Sequence, residues 1–159
     1  MSKAEKTNVM RILDQKKIIY KSYNYSNTSA VSGVEVAKAL GQNPEQVFKT
    51  LVTVSGTGAH YVFMIPVGEE LDLKKAAKAV NEKSISMLKS KELLPLTGYI
   101  HGGCSPIGMK KFFPTVIEES AELEDSIIFS AGKIGWQVEL TLSQLAEVID
   151  FQLADIIVS

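Results

Sequence analysis

Apolar and polar positions change period several times along the chain, and the changes mark out its elements. Val9, Ile12 and Leu13 share one helical face, which predicts an amphipathic helix over 4–15. Ile18, Ile19, Tyr20, Tyr23 and Tyr25 are β-branched or aromatic and predict a strand over 18–25. A loop rich in Asn, Ser and Thr runs on to Ser32. Ser32 and Glu35 have capping-box spacing ahead of a helix over 33–40, closed by Gly41. Asn43-Pro44 is a turn. Strands are predicted over 48–55 and 60–66, joined as a hairpin by Gly56-Thr57-Gly58. The second is nearly continuously apolar, as a central strand is.

Asp72 is placed to cap a helix over 73–80, whose Lys74, Lys75 and Lys78 form a positive face. That face is either a solvated helix surface or an edge that follows phosphates. A short strand follows at 85–88. Ser90 is expected to cap a helix toward Leu96, with Glu92 in its first turn, Gly98 at its end and Pro95 leaving that end ragged. Further strands are expected over 115–118, 126–130 and 136–140, with an acidic, surface-like stretch over 118–125. The last two strands form a second hairpin across 131–135. Thr141 and Gln144 open a helix to about Ile149, and 151–158 is extended or mixed. Hairpins with interspersed helices are not a regular βαβ alternation. They predict an α+β fold in a single domain over 1–159, with a mixed, mostly antiparallel sheet curled toward a barrel and helices outside.

Composition narrows the function. Hydrophobics at 45% and charged residues at 22% are ordinary globular values, and 159 residues can bury a proper core. A net charge of −1 argues against a protein that coats nucleic acid non-specifically, but leaves room for a small basic face. One cysteine excludes an internal disulfide and a thiolate zinc cluster, and two histidines are too few for a His-based site without carboxylates. No metal and no cofactor is expected. The N-terminal Met-Ser-Lys-Ala-Glu-Lys has no signal-peptide core, and no run approaches the roughly 18 apolar residues of a membrane span. A cytoplasmic protein without membrane contact is the expectation.

The densest run of conformationally special residues is His101-Gly-Gly-Cys-Ser-Pro-Ile-Gly-Met-Lys-Lys111. Its glycine pair lets backbone N–H groups come close to a ligand, because no Cβ intervenes. Cys104 and Ser105 add a thiol and a hydroxyl. Lys49 opens a strand otherwise made of Thr and aliphatic residues, so it is either an edge-strand solubility residue or an inward-facing ammonium. Cys104 near His101 invites a thiol-nucleophile reading, but no acid partner is evident and a packing thiol is the better account.

Four motifs occur in one order: Phe48-Lys49-Thr50-Leu51; Leu73-Lys-Lys-Ala-Ala-Lys78; Gly98 through Lys111; and Ser130-Ala-Gly-Lys133 ahead of Gly135. Together they resemble the YbaK-type Cys-tRNA(Pro) deacylases of the bacterial prolyl-tRNA editing superfamily, over nearly the whole chain. The resemblance implies a barrel-like α/β domain that hydrolyses the ester joining cysteine to tRNA(Pro), a product of prolyl-tRNA synthetase misacylation. It makes Lys49 the critical site residue, with Gly102 and Ser130 beside it. Tyr23, Thr50, Gly103, Ser105, Gly132 and Lys133 are then the candidate substrate contacts. For Tyr23 a half-buried strand tyrosine is an equally good account, and Thr50 and Ser130 are also ordinary strand and turn residues. In this family the substrate's own thiol is thought to attack the neighbouring carbonyl, leaving the enzyme to position it and stabilise charge. The implied partners are the aminoacyl end of tRNA(Pro) and, transiently, prolyl-tRNA synthetase. A water-activating Ala-tRNA(Pro) deacylase and a non-catalytic module that binds aminoacyl-tRNA or a synthetase remain open.

Overall fold

Two sheets share the job of flanking one strand in the computed structural model, which describes residues 6–159. The elements are α1 (Asn8–Gln15), β1 (Lys21–Asn24), α2 (Gly33–Ala39), β2 (Phe48–Ser55), β3 (His60–Pro66), α3 (Leu73–Ala79), β4 (Ile85–Met87) and α4 (Ser90–Thr97). They continue as β5 (Thr115–Glu118), a 3-10 helix (Glu119–Leu123), β6 (Ile127–Ser130), β7 (Trp136–Leu140), α5 (Leu142–Ala146) and β8 (Gln152–Ala154). One sheet has the order β4-β2-β3-β5-β8, the other β1-β7-β6. β2 runs antiparallel to both β3 and β4, and β5 lies parallel to both β3 and β8. β1, β7 and β6 are antiparallel throughout.

The sheets meet just ahead of β2. Val47 forms an isolated parallel bridge with Ile128, whose N–H donates to the Gln46 carbonyl at 2.9 Å. This single bridge curls the sheets toward a barrel without closing it, so β2 is forked. β4 pairs only with Thr53–Ser55, and β6 pairs only through the bridge at Val47. The Val62 N–H donates to Pro114, so even-numbered residues of β3 point their main chain toward β5 and odd-numbered ones toward β2. Lys49, Leu51 and Thr53 therefore bond to β3, while Phe48, Thr50 and Val52 point outward. Val52 accepts from Leu88 N–H at 3.1 Å. Thr50, between the two partners, faces an open edge.

The main core lies between the sheets and α1, around Met10, Leu13, Phe48, Met64, Phe129 and Leu140. A second cluster packs α3 on the other face of the large sheet, through Phe63, Ile65, Ala76, Val116 and Ile156. Fully burying one side chain such as Phe63 contributes about 1.5–3 kcal/mol, so these clusters fix the β2–β3 platform. A third and smaller cluster of Ala37, Val47, Val67 and Ile128 seats α2 over the start of β2.

Several expectations met local physics that altered them. The first helix starts at Asn8 with Thr7 as its cap; residues 4 and 5 lie outside the described residues. The strand expected over 18–25 shrinks to Lys21–Asn24, because Ile18 drops into the core while Ile19 is 86% exposed. Ser90 is the first residue of α4, not its cap: Lys89 holds that position without a side-chain bond. Pro95 does not fray the helix end, since Gly98 closes it in the left-handed region at φ 87° and bonds back to Leu94. Glu118 is not on the surface; it is 3% exposed, and its carboxylate accepts from the N–H groups of Ser120 and Ile156. The last helix ends at Ala146 rather than near Ile149. The capping boxes at Ser32/Glu35 and Thr141/Gln144, and the Asp72 cap, form as read. Among the described residues no helix is long and apolar enough to cross a membrane.

Gly33 opens α2 directly against Val67; a Cβ there would sit 2.5 Å from Val67 Cγ1 and 2.9 Å from its Cβ. Gly33→Ala should therefore lower the denaturant midpoint by the equivalent of about 1–3 kcal/mol, the usual cost of overpacking. An unchanged midpoint in chemical denaturation would contradict this close approach.

Candidate active site

The fork in β2 opens into a cleft of ≈ 450 Å³. Its floor is Val47–Val52, and its walls come from α2 (Ser32, Gly33), the β4–α4 junction (Met87, Leu88, Ser90) and the loop at His101, Gly102 and Cys104, with Ser130 and Gln137 at one end. Strand alternation puts the Lys49 and Thr50 side chains on opposite faces of β2. Both line the cleft because it wraps around the strand's free edge. Lys49 is half-buried, and among the described residues it is the cleft's single lysine and no aspartate or glutamate lines the cleft. It makes no ion pair among the described residues. An uncompensated ammonium beside largely apolar walls favours an anion or a developing negative oxygen, because partial burial weakens solvent screening.

Four of the nine candidate residues named from the sequence therefore line one cleft: Lys49, Thr50, Gly102 and Ser130. Thr50 Oγ1 is buried and has no hydrogen-bond partner among the described residues. Gly102 sits at φ 89°, a conformation that favours glycine, and its N–H makes no hydrogen bond among the described residues. Ser130 Oγ accepts from Gly132 N–H at 3.1 Å, which leaves the hydroxyl proton free to donate.

The other five candidates do not line the cleft. Gly103 is buried, and its N–H already donates to the Ile100 carbonyl at 3.0 Å, so it is not a free oxyanion donor. A Cβ on Gly103 would come within 3.1 Å of Ile134 N, so this glycine lets the loop pack on the β6–β7 turn. Ser105 is fully buried and accepts from Ile107 N–H at 3.4 Å. Gly132 serves the turn at φ 89°, and Lys133 is exposed at its tip. Tyr23, Gln137 and Ser130 form one cross-strand row, with Tyr23 two strands from Ser130, roughly 10 Å away. The Tyr23 hydroxyl donates to Glu139, whose other oxygen accepts from Ser126 and Gln46.

Sequence reasoning missed Tyr25, Ser32, Gln137 and Ser90 as cleft residues. Gln137 had a signal: it is a polar residue inside the otherwise apolar run around Trp136 and Val138, and it is bound by Gln42 Nε2 at 2.9 Å. Tyr25 had none, since it shares the alternation phase of Tyr23.

Burial pushes the Cys104 thiol up to about 12, so at neutral pH it stands in the cleft wall as a neutral, weakly nucleophilic group. The hydrogen bond to Glu139, with burial, likewise raises Tyr23 to about 12. At Glu139 burial opposes ionisation, but the hydrogen bonds from Ser126 and Tyr23, the nearby Lys21 charge and Gln46 outweigh it and hold the carboxyl below its ordinary range.

Comparison with known proteins identifies the family. A family model described as an aminoacyl-tRNA editing domain matches residues 28–148. A protein of Enterococcus faecalis with the provisional name Cys-tRNA(Pro)/Cys-tRNA(Cys) deacylase EbsC is 46% identical over 153 residues, covering 96% of this chain and 93% of that protein. A solved structure provisionally described as a trans-editing enzyme for prolyl tRNA synthetase superposes with a TM-score of 0.83 at 24% identity, covering 96% of this chain and 99% of its own. A scaffold used for computational epitope grafting superposes equally well, with a TM-score of 0.83 at 24% identity over 95% of each chain. These two structures speak to the fold. The chain belongs to the aminoacyl-tRNA editing domain family.

Two outcomes follow from the titrating groups. Cys104 in the native protein should react with an aromatic disulfide reagent at pH 8 far more slowly than in denaturant, and equal rates would contradict a neutral buried thiol. Glu139 has a folded pKa below its unfolded value of about 4.3. Its stabilisation is therefore present above that value and lost as pH falls through the folded one. The stability gap between wild type and Glu139→Gln should be constant above about pH 5 and shrink below about pH 4. A gap that widens in acid would reverse the assignment.

Proposed function

We propose that this protein is an aminoacyl-tRNA deacylase that releases cysteine from mischarged Cys-tRNA(Pro), using the substrate's own thiol as nucleophile. One observation carries the reading: Lys49, Thr50, Gly102 and Ser130 line one cleft in which, among the described residues, the ammonium has no ion-pair partner and no carboxylate is present. Membership of the editing family and the name of the E. faecalis relative support the substrate class.

The cysteinyl sulfur attacks the ester carbonyl carbon. The new C–S bond closes a small cyclic thioester, the C–O bond to the ribose breaks, and the thiol proton passes to the departing ribose oxygen. Water then opens the thioester to free cysteine. The protein positions thiol and carbonyl for an intramolecular attack. Negative charge that builds on the carbonyl oxygen meets the Lys49 ammonium, the Gly102 N–H and the Ser130 hydroxyl proton. Cys104, held neutral, contributes shape rather than bonds. Alanine and proline esters carry no thiol and persist. Prolyl-tRNA synthetase is the proposed transient partner, because a chain of net charge −1 has little general affinity for tRNA.

Deacylation of Cys-tRNA(Pro), Ala-tRNA(Pro) and Pro-tRNA(Pro) tests the proposal, with release of cysteine alone as the expected result. Equal loss of all three esters refutes thiol assistance, and loss of alanine alone points to a water-activating enzyme. Lys49→Ala should lower kcat/KM for the cysteine ester by roughly 10²-fold or more, whereas Cys104→Ala should keep it within about threefold.

A further inference from the structure

Thr50 holds an unusual position. Its N–H and carbonyl point away from β3, into the gap between the last β4 contact at Val52 and the β6 bridge at Val47. No ladder or bridge pairs Thr50 on that side, and a main-chain donor and acceptor outside any ladder in a partly buried cleft is costly unless other groups, water or a ligand take both. The gap is one residue long, too short for a peptide strand to extend the sheet. It matches a smaller ligand. An aminoacyl group carries an amino donor and a carbonyl acceptor across one Cα, the same spacing by which a residue in an antiparallel pair exchanges two hydrogen bonds with the residue opposite.

We propose that the aminoacyl group docks on Thr50 as a one-residue strand, its α-amino group donating to the Thr50 carbonyl and its own carbonyl accepting from the Thr50 N–H. This rests on reading the cleft as an aminoacyl-ester site. Two further observations support it. Among the described residues no carboxylate lines the cleft, so a ligand ammonium has to be held by neutral acceptors. Thr50 Oγ1 is such an acceptor, buried and without a partner on the same residue. Antiparallel pairing also puts the side chains of paired residues on one face of the strand. An L-cysteinyl side chain then lies on the Thr50 face with Phe48 and Val52, and the Lys49 ammonium approaches from the opposite face. Recognition of the amino acid's common part is thus assigned to main chain.

The test measures binding, so it is independent of turnover. Adenosine carrying a 3′-cysteinylamide and the same compound lacking the α-amino group are titrated against wild type and Thr50→Val by calorimetry. The deaminated ligand should bind roughly ten- to a hundredfold more weakly in both proteins, the worth of a charge-assisted hydrogen bond to a main-chain carbonyl that the substitution leaves in place. Equal affinities in wild type, or no binding of either ligand, overturn the docking. Loss of the discrimination in Thr50→Val assigns the contact to the hydroxyl and overturns the main-chain pairing. Continued cysteine release from Cys-tRNA(Pro) alongside equal affinities removes only this contact and leaves the deacylase reading in place.

Discussion

One strand with two partners that diverge is the constraint on which the rest depends. β2 is bonded along its whole length to β3, but on its other side β4 pairs only with Thr53–Ser55 and β6 only through the bridge at Val47. Sheets twist, so two neighbours anchored at opposite ends of a strand separate between their anchors. The separation is the cleft. Everything chemically distinctive gathers there: an ammonium from one face, a hydroxyl from the other, and a main-chain edge between them. The ammonium, the hydroxyl and the edge all come from β2, and their spacing is set by the pairing of β2 with the largely buried β3.

A polar ladder keeps the fork from closing or slipping. Gln42 bonds Gln137, and Gln46 reaches Ser126 and Glu139, which also accepts from Tyr23. Both glutamines come from the turn that feeds β2, and their partners lie on β7 and at Ser126, just ahead of β6. An apolar contact would tolerate a shift of register along the sheet, whereas a set of directed hydrogen bonds does not. Tyr23 acts in this frame. It shares a cross-strand row with Ser130 and secures the carboxylate that orients Gln46, three residues before Lys49.

Much of this was legible because its causes are local. The Ser32/Glu35 and Thr141/Gln144 boxes, the Asp72 cap and the Gly98 terminus are each decided within a few residues, and so are the two hairpins. The illegible parts depend on distant chain. Ile18 and Ile19 have the same strand propensity, yet one is buried and the other exposed, since only the docking of α1 decides which. Glu118 reads as surface in an acidic run but is buried to satisfy the Ile156 N–H, 38 residues away. At the site, Lys49 and Gly102 stood out as exceptions to their surroundings: a charge in an aliphatic strand and a glycine pair between apolar segments. Gly103 and Gly132 carry the same local signal as Gly102, yet they are spent on packing and turn geometry. Composition cannot separate a glycine that admits a ligand from one that admits another piece of backbone.

The cleft presents a neutral thiol rather than a thiolate and, among the described residues, no carboxylate, and both bear on selectivity. A general base or a thiolate nucleophile placed there would attack any aminoacyl ester small enough to enter, and proline and alanine esters differ from cysteine by little in volume. Hydrophobic pockets discriminate such differences by only about 1–3 kcal/mol. A neutral Cys104 and, among the described residues, a cleft without carboxylates leave neither a thiolate nucleophile nor a carboxylate base there. On the proposed mechanism the reactive group then arrives with the one ester that should be cut. Discrimination changes from a difference in fit to the presence or absence of a nucleophile, which no reshaping of the apolar walls could match. The remaining demand on the protein is geometric, to hold carbonyl and thiol together beneath a positive charge, and a strand paired along its length with β3 supplies the frame for it.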